Sequence, residues 1–420
     1  MKIGFLIIGS EVLDGKISDL NTKYLADFLR RNNLEINEST TVRDNSDSIK
    51  AGLTKLFIEN EVVITSGGLG PTKDDITKET IGDFFHKKML LNHEAIQIAE
   101  SNYKQFDRIF PGQDHGYAYL PEGFYPLSNS TGFAPGFYFK EKNKILFSCP
   151  GVPREFNSML SDHFFKISSE KIDHKIQMRH FVVRTKNVPE EKIFGEVDPT
   201  LWEKLQKFGD VSSLPILMGV DIGIKIKGSS KEALDKQEIE LRSIFASSPI
   251  SKSIWHIGTE SLEQKIVSIA NDKKISFGFA ESATGGLCSH RITSISGSSQ
   301  SFLGSVVCYD ENVKVNQLGV RRETIDTFKV VSPETAIEMA QGLQKLLKLD
   351  IAISITGYAG PSGGTTEYPV GSACIGLALK DGTTRAQTVR LKGDRDILKQ
   401  RFSQAALYTL LEELEKFADS

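Results

Sequence analysis

The apolar runs in this chain are no longer than a strand, and the clearest of them empty straight into polar turns carrying glycine. Lys2-Ile3-Gly4-Phe5-Leu6-Ile7-Ile8 is followed by Gly9-Ser10-Glu11, and Val62-Val63-Ile64-Thr65 by Ser66-Gly67-Gly68-Leu69-Gly70. Ile351-Ala352-Ile353-Ser354-Ile355 is followed by Thr356-Gly357-Tyr358-Ala359-Gly360. Short apolar runs separated by amphipathic stretches specify buried strands alternating with helices. They fall far short of a bilayer's thickness, so no membrane partner is expected.

Residues 2–8, 35–42, 61–65 and 145–148 read as strands, residues 22–32 and 46–59 as helices, and a further helix restarts at Asp75. Residues 102–136 lack periodicity and read as a mobile flap or irregular packing. From about residue 171 the pattern changes. Strands at 176–184 and 222–226 and helices at 189–194 and 231–245 make a small α+β insert, closed by the linker Ala246–Ser251. A second α/β pattern follows. It has helices at 262–271, after Thr284 to about 292, at 333–347 and at 395–415, with strands at 275–279, 302–308, 350–355, 370–379 and 385–391. The fold class is α/β: two three-layer α/β domains, 1–170 and 253–420, joined by a small α+β module at 171–252. A chain of 420 residues is long enough for two or three such units.

A net charge of −3 without a long basic block argues against nucleic acid as the main partner. The four cysteines, Cys149, Cys288, Cys308 and Cys374, form no C-x-x-C pair. The N-terminus reads as a buried strand rather than a signal peptide, and a reduced, cytoplasmic protein is expected.

The reactive side chains sit at expected strand ends. The run 275–279 leads into Ala280-Glu281-Ser282-Ala283-Thr284-Gly285-Gly286, which delivers Ser282 to a turn where Thr284 can cap the next helix. A hydroxyl nucleophile and an anion-friendly helix end would share that turn; alternatively both residues only cap. No G-x-S-x-G elbow is present, and His290 is ill placed for a triad. A lysine base remains. Tyr309 and Lys314 follow the strand 302–308 and reach Ser282 if the strands are parallel, although a helix lysine is ordinarily solvated. Cys288 is a rival nucleophile or buried packing. The loop 356–364 offers backbone N–H groups to an anion, and Arg395 forks onto a phosphate or pairs with Asp394 or Asp396. In the first domain the turns 9–15, 66–75 and 149–155 can converge on one pocket. There Asp74 and Asp75 either hold a hard cation or favour a helix dipole.

These strings resemble the competence/damage-inducible protein A family, CinA, along essentially the whole chain. Ser66–Asp75, Gly9–Gly15 and Pro150–Glu155 look like its N-terminal domain, which is similar to molybdopterin-binding domains. Ala280–Gly286, Tyr309–Lys314, Thr356–Pro361 and Gly393–Arg395 look like its C-terminal nicotinamide mononucleotide amidohydrolase. The resemblance implies a bifunctional hydrolase of the pyridine nucleotide cycle with a KH-like middle module. In the C-terminal half, which needs no cofactor, Ser282 would attack the carboxamide and Lys314 take its proton. Tyr309 and Ser299 would assist, and Thr356 would line the pocket. Thr284, Gly285, Gly286, Gly357, Gly360 and Arg395 would bind substrate. In the N-terminal half it implies hydrolysis of ADP-ribose with a divalent metal ion. Gly67, Gly68, Gly70 and Thr72 would cradle phosphate, Glu11 would lie opposite, and Asp74 and Asp75 would hold the metal. A homodimer acting on small nucleotides, without nucleic acid, is the expected state. The rival is a nucleotide- or pterin-binding regulatory protein without turnover.

Overall fold

The computed structural model describes residues 1–112, 115–171 and 177–418. They divide into two compact units, Met1–Arg179 with Lys227–Lys236, and His180–Ile226 with Gln237–Ser420. In the first, six strands form a sheet in the order Ile36–Val42, Ile3–Ile8, Val62–Ser66, Lys144–Cys149, Gly136–Glu141, Tyr125–Leu127. The first four run parallel; Gly136–Glu141 pairs antiparallel with the fourth and Tyr125–Leu127 antiparallel with it in turn.

Alternation along one central strand builds the three layers. Ile3, Phe5 and Ile7 pack with Leu25, Leu29, Phe156 and Phe164 of two helices, whereas Leu6 and Ile8 pack with Ile49, Leu53 and Ile81 of two others. A strand buried on both faces has to be apolar throughout, which is why this one is legible as an unbroken run. The helix expected from Asp75 instead begins at Thr77. The Asp75 carboxylate turns back to accept from the Thr72 amide (3.0 Å) and hydroxyl (2.5 Å), which holds this stretch in a loop.

In another sheet the antiparallel pair Gly209–Ile216 and Gly219–Gly228 lies beside Gln177–Thr185. The first strand of that pair escapes sequence reading because its half-buried positions, which alternate with exposed ones from Gly209 to Leu214, are Gly209, Val211 and Ser213 and give no apolar pattern. Ile176, expected at the start of the strand 176–184, lies outside the described residues. Residues 246–251, expected as a linker, finish one helix and enter a 3-10 turn, Pro249–Ser253. A strand Ile254–Ile257 follows and pairs antiparallel with Gln177–Thr185.

The larger sheet has the order Phe302–Val307, Phe277–Glu281, Ile351–Gly357, Ser372–Leu379, Thr384–Arg390, with its first three strands parallel. The helix Pro333–Leu347 covers one face through Met339, Ala340 and Leu343. Helices Leu262–Lys273 and Arg395–Ala418 cover the other through Ile266, Phe402, Leu410 and Leu414. The chain is α/β with three-layer packing. No helix among the described residues is long and apolar enough to cross a membrane.

Candidate active site

Parallel register assembles the site. Glu281, the last residue of its strand, lies opposite Val307 on one side and Ile355 on the other. The residues just beyond these ends therefore share one rim, which is where open parallel sheets bind ligands. They surround a cavity of ≈ 400 Å³ lined by Ser282, Ala283, Tyr309, Lys314, Thr356, Gly357, Tyr358, Gly360 and Arg395, among others.

Lys314 reaches this cavity from the helix Glu311–Leu318, which starts at Asp310, whose side chain accepts from the Asn312 amide. Lys314 and Leu318, one turn apart, are the helix's buried face. Only 2% of Lys314 is exposed, so the solvated alternative is excluded. Its Nζ lies 2.7 Å from the Cys308 carbonyl oxygen, 3.0 Å from that of Tyr309 and 3.1 Å from Ser282 Oγ. A neutral amine has two N–H donors and one lone pair. The ammonium form donates to all three oxygens; in the neutral form the two carbonyls take the donors and the lone pair faces the serine hydroxyl. Burial draws the Lys314 pKa below its ordinary value, against the raising influence of Cys308, Glu311 and Asp310. The buried Ser282 has its own amide tied to the Ile355 carbonyl at 2.9 Å.

The other residues read from the sequence fall differently. Thr356 lines the cavity, but its hydroxyl donates to the Val330 carbonyl at 2.6 Å. Tyr309 is mostly exposed at the rim, and its phenol oxygen accepts from Arg395 at 3.0 Å. The same guanidinium donates to the Gly360 carbonyl at 2.6 Å, so Arg395 is aimed at the cavity mouth rather than paired with Asp394 or Asp396. Ser299 is not brought to the site. It lies in the exposed turn that precedes Phe302–Val307, at the opposite end of that strand, roughly 17 Å of rise from the rim.

Thr284 does not cap the helix Leu287–Thr293; its hydroxyl donates to Glu281 at 2.7 Å. Thr284, Gly285 and Gly286 shape the turn without lining the cavity. The helix end is taken by the Glu281 carboxylate, which accepts the amides of Gly286, Cys288 and Ser289. No anion is received there, because the protein supplies its own. Cys288 is fully buried with its thiol pushed well up by that burial, which suits packing and not attack. Sequence reasoning missed Glu281 and Tyr358. For Glu281 a signal was available: an acid closing an apolar strand must find buried donors.

In the first unit the three expected turns do converge, on a cavity of ≈ 570 Å³. Glu11, Gly67, Gly68, Gly70, Asp74 and Asp75 line it with Glu155 of the third turn, joined by the unforeseen Asp44, Tyr117 and Phe133. Thr72 faces an adjoining hollow of ≈ 90 Å³ with Lys78. Glu155 is raised above the usual carboxylate range by burial and accepts from Asn129 Nδ2 at 2.6 Å. Among the described residues no three His, Cys, Asp or Glu side chains gather so as to hold a metal ion.

Comparison with known proteins agrees with this two-part layout. Residues 4–168 match the probable molybdopterin binding domain family and residues 259–414 the CinA C-terminal domain family. A CinA-like protein of Kosmotoga olearia is 33% identical over 413 residues, covering 97% of both chains. A CinA-like protein of Dictyoglomus thermophilum is 32% identical over 422 residues, covering 99% of this chain and 98% of its own. The crystal structure of the competence/damage inducible protein CihA from Agrobacterium tumefaciens is 32% identical. It covers 37% of this chain and 93% of its own, with a TM-score of 0.36.

Proposed function

The chain belongs to the CinA family, and from that premise we propose that its C-terminal cavity hydrolyses the carboxamide of nicotinamide mononucleotide by serine–lysine chemistry. The observation that carries this reading is the 3.1 Å approach of a buried lysine amine to a serine hydroxyl inside a cavity. Neutral Lys314 takes the Ser282 proton as Oγ attacks the carboxamide carbon. The carbon–nitrogen bond then breaks, the Lys314 ammonium returns the proton to the leaving nitrogen, and ammonia departs. Water, deprotonated by the same amine, cleaves the resulting serine ester to release the carboxylate and restore the hydroxyl. Arg395 at the mouth suits a phosphate. The test is ammonia release from nicotinamide mononucleotide. It should disappear in Ser282→Ala with the fold intact; tight binding without turnover by the wild-type protein would favour the regulatory reading instead.

The N-terminal cavity is read as a pyrophosphate site hydrolysing ADP-ribose with a divalent cation. Support comes from the convergence of three glycine-bearing turns with the carboxylates of Glu11, Asp74, Asp75 and Glu155 around one cavity. Asp74 and Asp75, which line this cavity, would hold the cation, its shell completed by substrate phosphate oxygens and water. When bound, the cation would neutralise phosphate charge. The chain's own part is to orient the phosphates against the glycine turns. Adenosine monophosphate release from ADP-ribose, assayed with and without added divalent metal, tests this; no release in either condition refutes it.

A further inference from the structure

Resting on the serine–lysine reading, we propose that Glu281 is a positioning residue: its buried carboxylate clamps the turn that carries Ser282 and so holds the nucleophile against Lys314.

Glu281 is fully buried, a state that an ionised carboxylate tolerates only when its oxygens are well satisfied. Its partners are amides and hydroxyls. Oε2 accepts from Thr284 Oγ1 at 2.7 Å, the Gly286 amide at 2.9 Å and the Cys288 amide at 3.1 Å. Oε1 accepts from the Ser289 amide at 3.0 Å and its hydroxyl at 2.6 Å. The positive end of the helix Leu287–Thr293 adds to this, although that helix has only seven residues and would hold an outside anion poorly. Each of these donors lies within eight residues of Ser282, on the turn or the first turn of helix after it.

The backbone on the other side of Ser282 is equally fixed. The Cys308 amide donates to the Glu281 carbonyl at 2.8 Å, and the Ser282 amide donates to Ile355 at 2.9 Å. Ser282 thus stands between a strand held by its neighbours and a turn held by the side chain of the preceding residue. What remains free is rotation about its own Cα–Cβ bond. Without the clamp the turn, with Gly285 and Gly286 both in the left-handed region (φ 62° and 98°), keeps only the backbone bonds of Gly285 to Ser282 (3.1 Å) and Leu287 to Thr284 (3.4 Å) to resist a shift. Misplacing a reacting group by an ångström costs about 10²-fold in rate.

Glu281→Gln keeps the shape but converts one oxygen into an NH₂ group. Whichever position that group takes, it opposes an amide donor, from Gly286 and Cys288 or from Ser289, so the turn must move. The test uses the full chain, with circular dichroism and thermal unfolding to establish folding, and two readouts normalised to folded protein. The first is kcat and KM for nicotinamide mononucleotide. The second is the rate of covalent labelling of Ser282 by phenylmethanesulfonyl fluoride, followed by intact mass, which needs no native substrate.

Glu281→Gln is expected to lower kcat by about 10²-fold and labelling by at least about tenfold, with KM within about threefold because Tyr358 and Arg395 are untouched. The pH of half-maximal labelling, set by Lys314, should stay in place. A role confined to folding would reduce the yield of folded protein but leave these rates alone. Folded Glu281→Gln with both rates within about twofold of wild type overturns the proposal. Should this variant fail to fold, Ser289→Ala removes one hydroxyl donor at the partly exposed end of the clamp. About threefold slower labelling supports the proposal, and unchanged labelling overturns it. A wild-type protein that is labelled but does not hydrolyse nicotinamide mononucleotide refutes the substrate alone; one that is not labelled refutes the activated serine and the clamp with it.

Discussion

Replacing Lys314 by methionine keeps the apolar stem of the side chain and deletes the amine that touches Ser282 and two backbone carbonyls. The effects on rate and stability differ in size. A positioned general base contributes about 10²–10⁴-fold, which is about 2.7–5.4 kcal/mol of barrier. In the folded state, each carbonyl left without its donor costs roughly 1–3 kcal/mol, but the variant also escapes the burden of burying an amine, so these terms oppose each other. The rate loss should therefore dominate: a folded protein with kcat reduced by about 10²–10⁴-fold. The pH dependence gives a second signature. Burial lowers the folded-state pKa of Lys314 below the unfolded value of about 10.4. Between those two values the unfolded chain binds more protons, so the wild-type protein gains stability as pH rises through that window, and kcat rises as the amine is freed. Below the folded value both states are protonated and the gain is absent. Ammonia release and denaturant unfolding, each followed from about pH 6 to above the unfolded value of about 10.4, should lose these slopes in Lys314→Met. A variant that keeps kcat within about threefold, or that keeps the same rising limb of kcat, would refute a lysine base.

Arg395→Gln should raise KM for nicotinamide mononucleotide by about 10–100-fold with little change in kcat, the size expected for one charge-assisted hydrogen bond to a phosphate. The unphosphorylated riboside should show no such difference, and steady-state kinetics on the two substrates checks it. Ser299→Ala should leave kcat within about twofold, since the residue stands at the far end of its strand from the cavity. A loss beyond about tenfold would contradict that placement. Gly67→Ala should destabilise the N-terminal domain by more than about 3 kcal/mol, read as a lowered thermal transition. A Cβ there would meet the Ile8 carbonyl oxygen at 2.0 Å, at a φ of 113° that side chains rarely adopt.

What the sequence discloses depends on how far each contact reaches along the chain. Strands such as Ile3–Ile8 and Ile351–Gly357 are buried on both faces and declare themselves as apolar runs. Strand Gly209–Ile216 is only half-buried on one side of its hairpin and leaves no such trace. The meeting of Ser282 with Lys314 was legible as a condition on parallel strands, because both residues follow strand ends closely. The fate of individual hydroxyls was not. Thr284 looks like a helix cap by type and position, yet Glu281 lies within reach of the same helix end and takes it. Ser299 is close to Phe302–Val307 in sequence but on its wrong end, and sequence proximity to a strand does not reveal which end faces the rim.

The capture of the helix end by Glu281 has a consequence for how a substrate would lie. One expectation from the sequence is that an anion and the nucleophile share one turn, which would put a phosphate beside the reacting group. With the carboxylate already filling that position, a phosphate next to Ser282 would meet a buried negative charge in surroundings of low dielectric, where repulsion is strong. The guanidinium at the cavity mouth is Arg395, held from behind by Gly360 and Tyr309. On the proposed reaction the nucleotide is therefore oriented by charge before any chemistry: phosphate outward at Arg395, carboxamide inward at Ser282. Burial of Lys314 between them favours its neutral form, drawing its pKa below the ordinary value. On that reaction the buried acid behind the serine would fix both where the nucleophile stands and which end of the ligand it can meet.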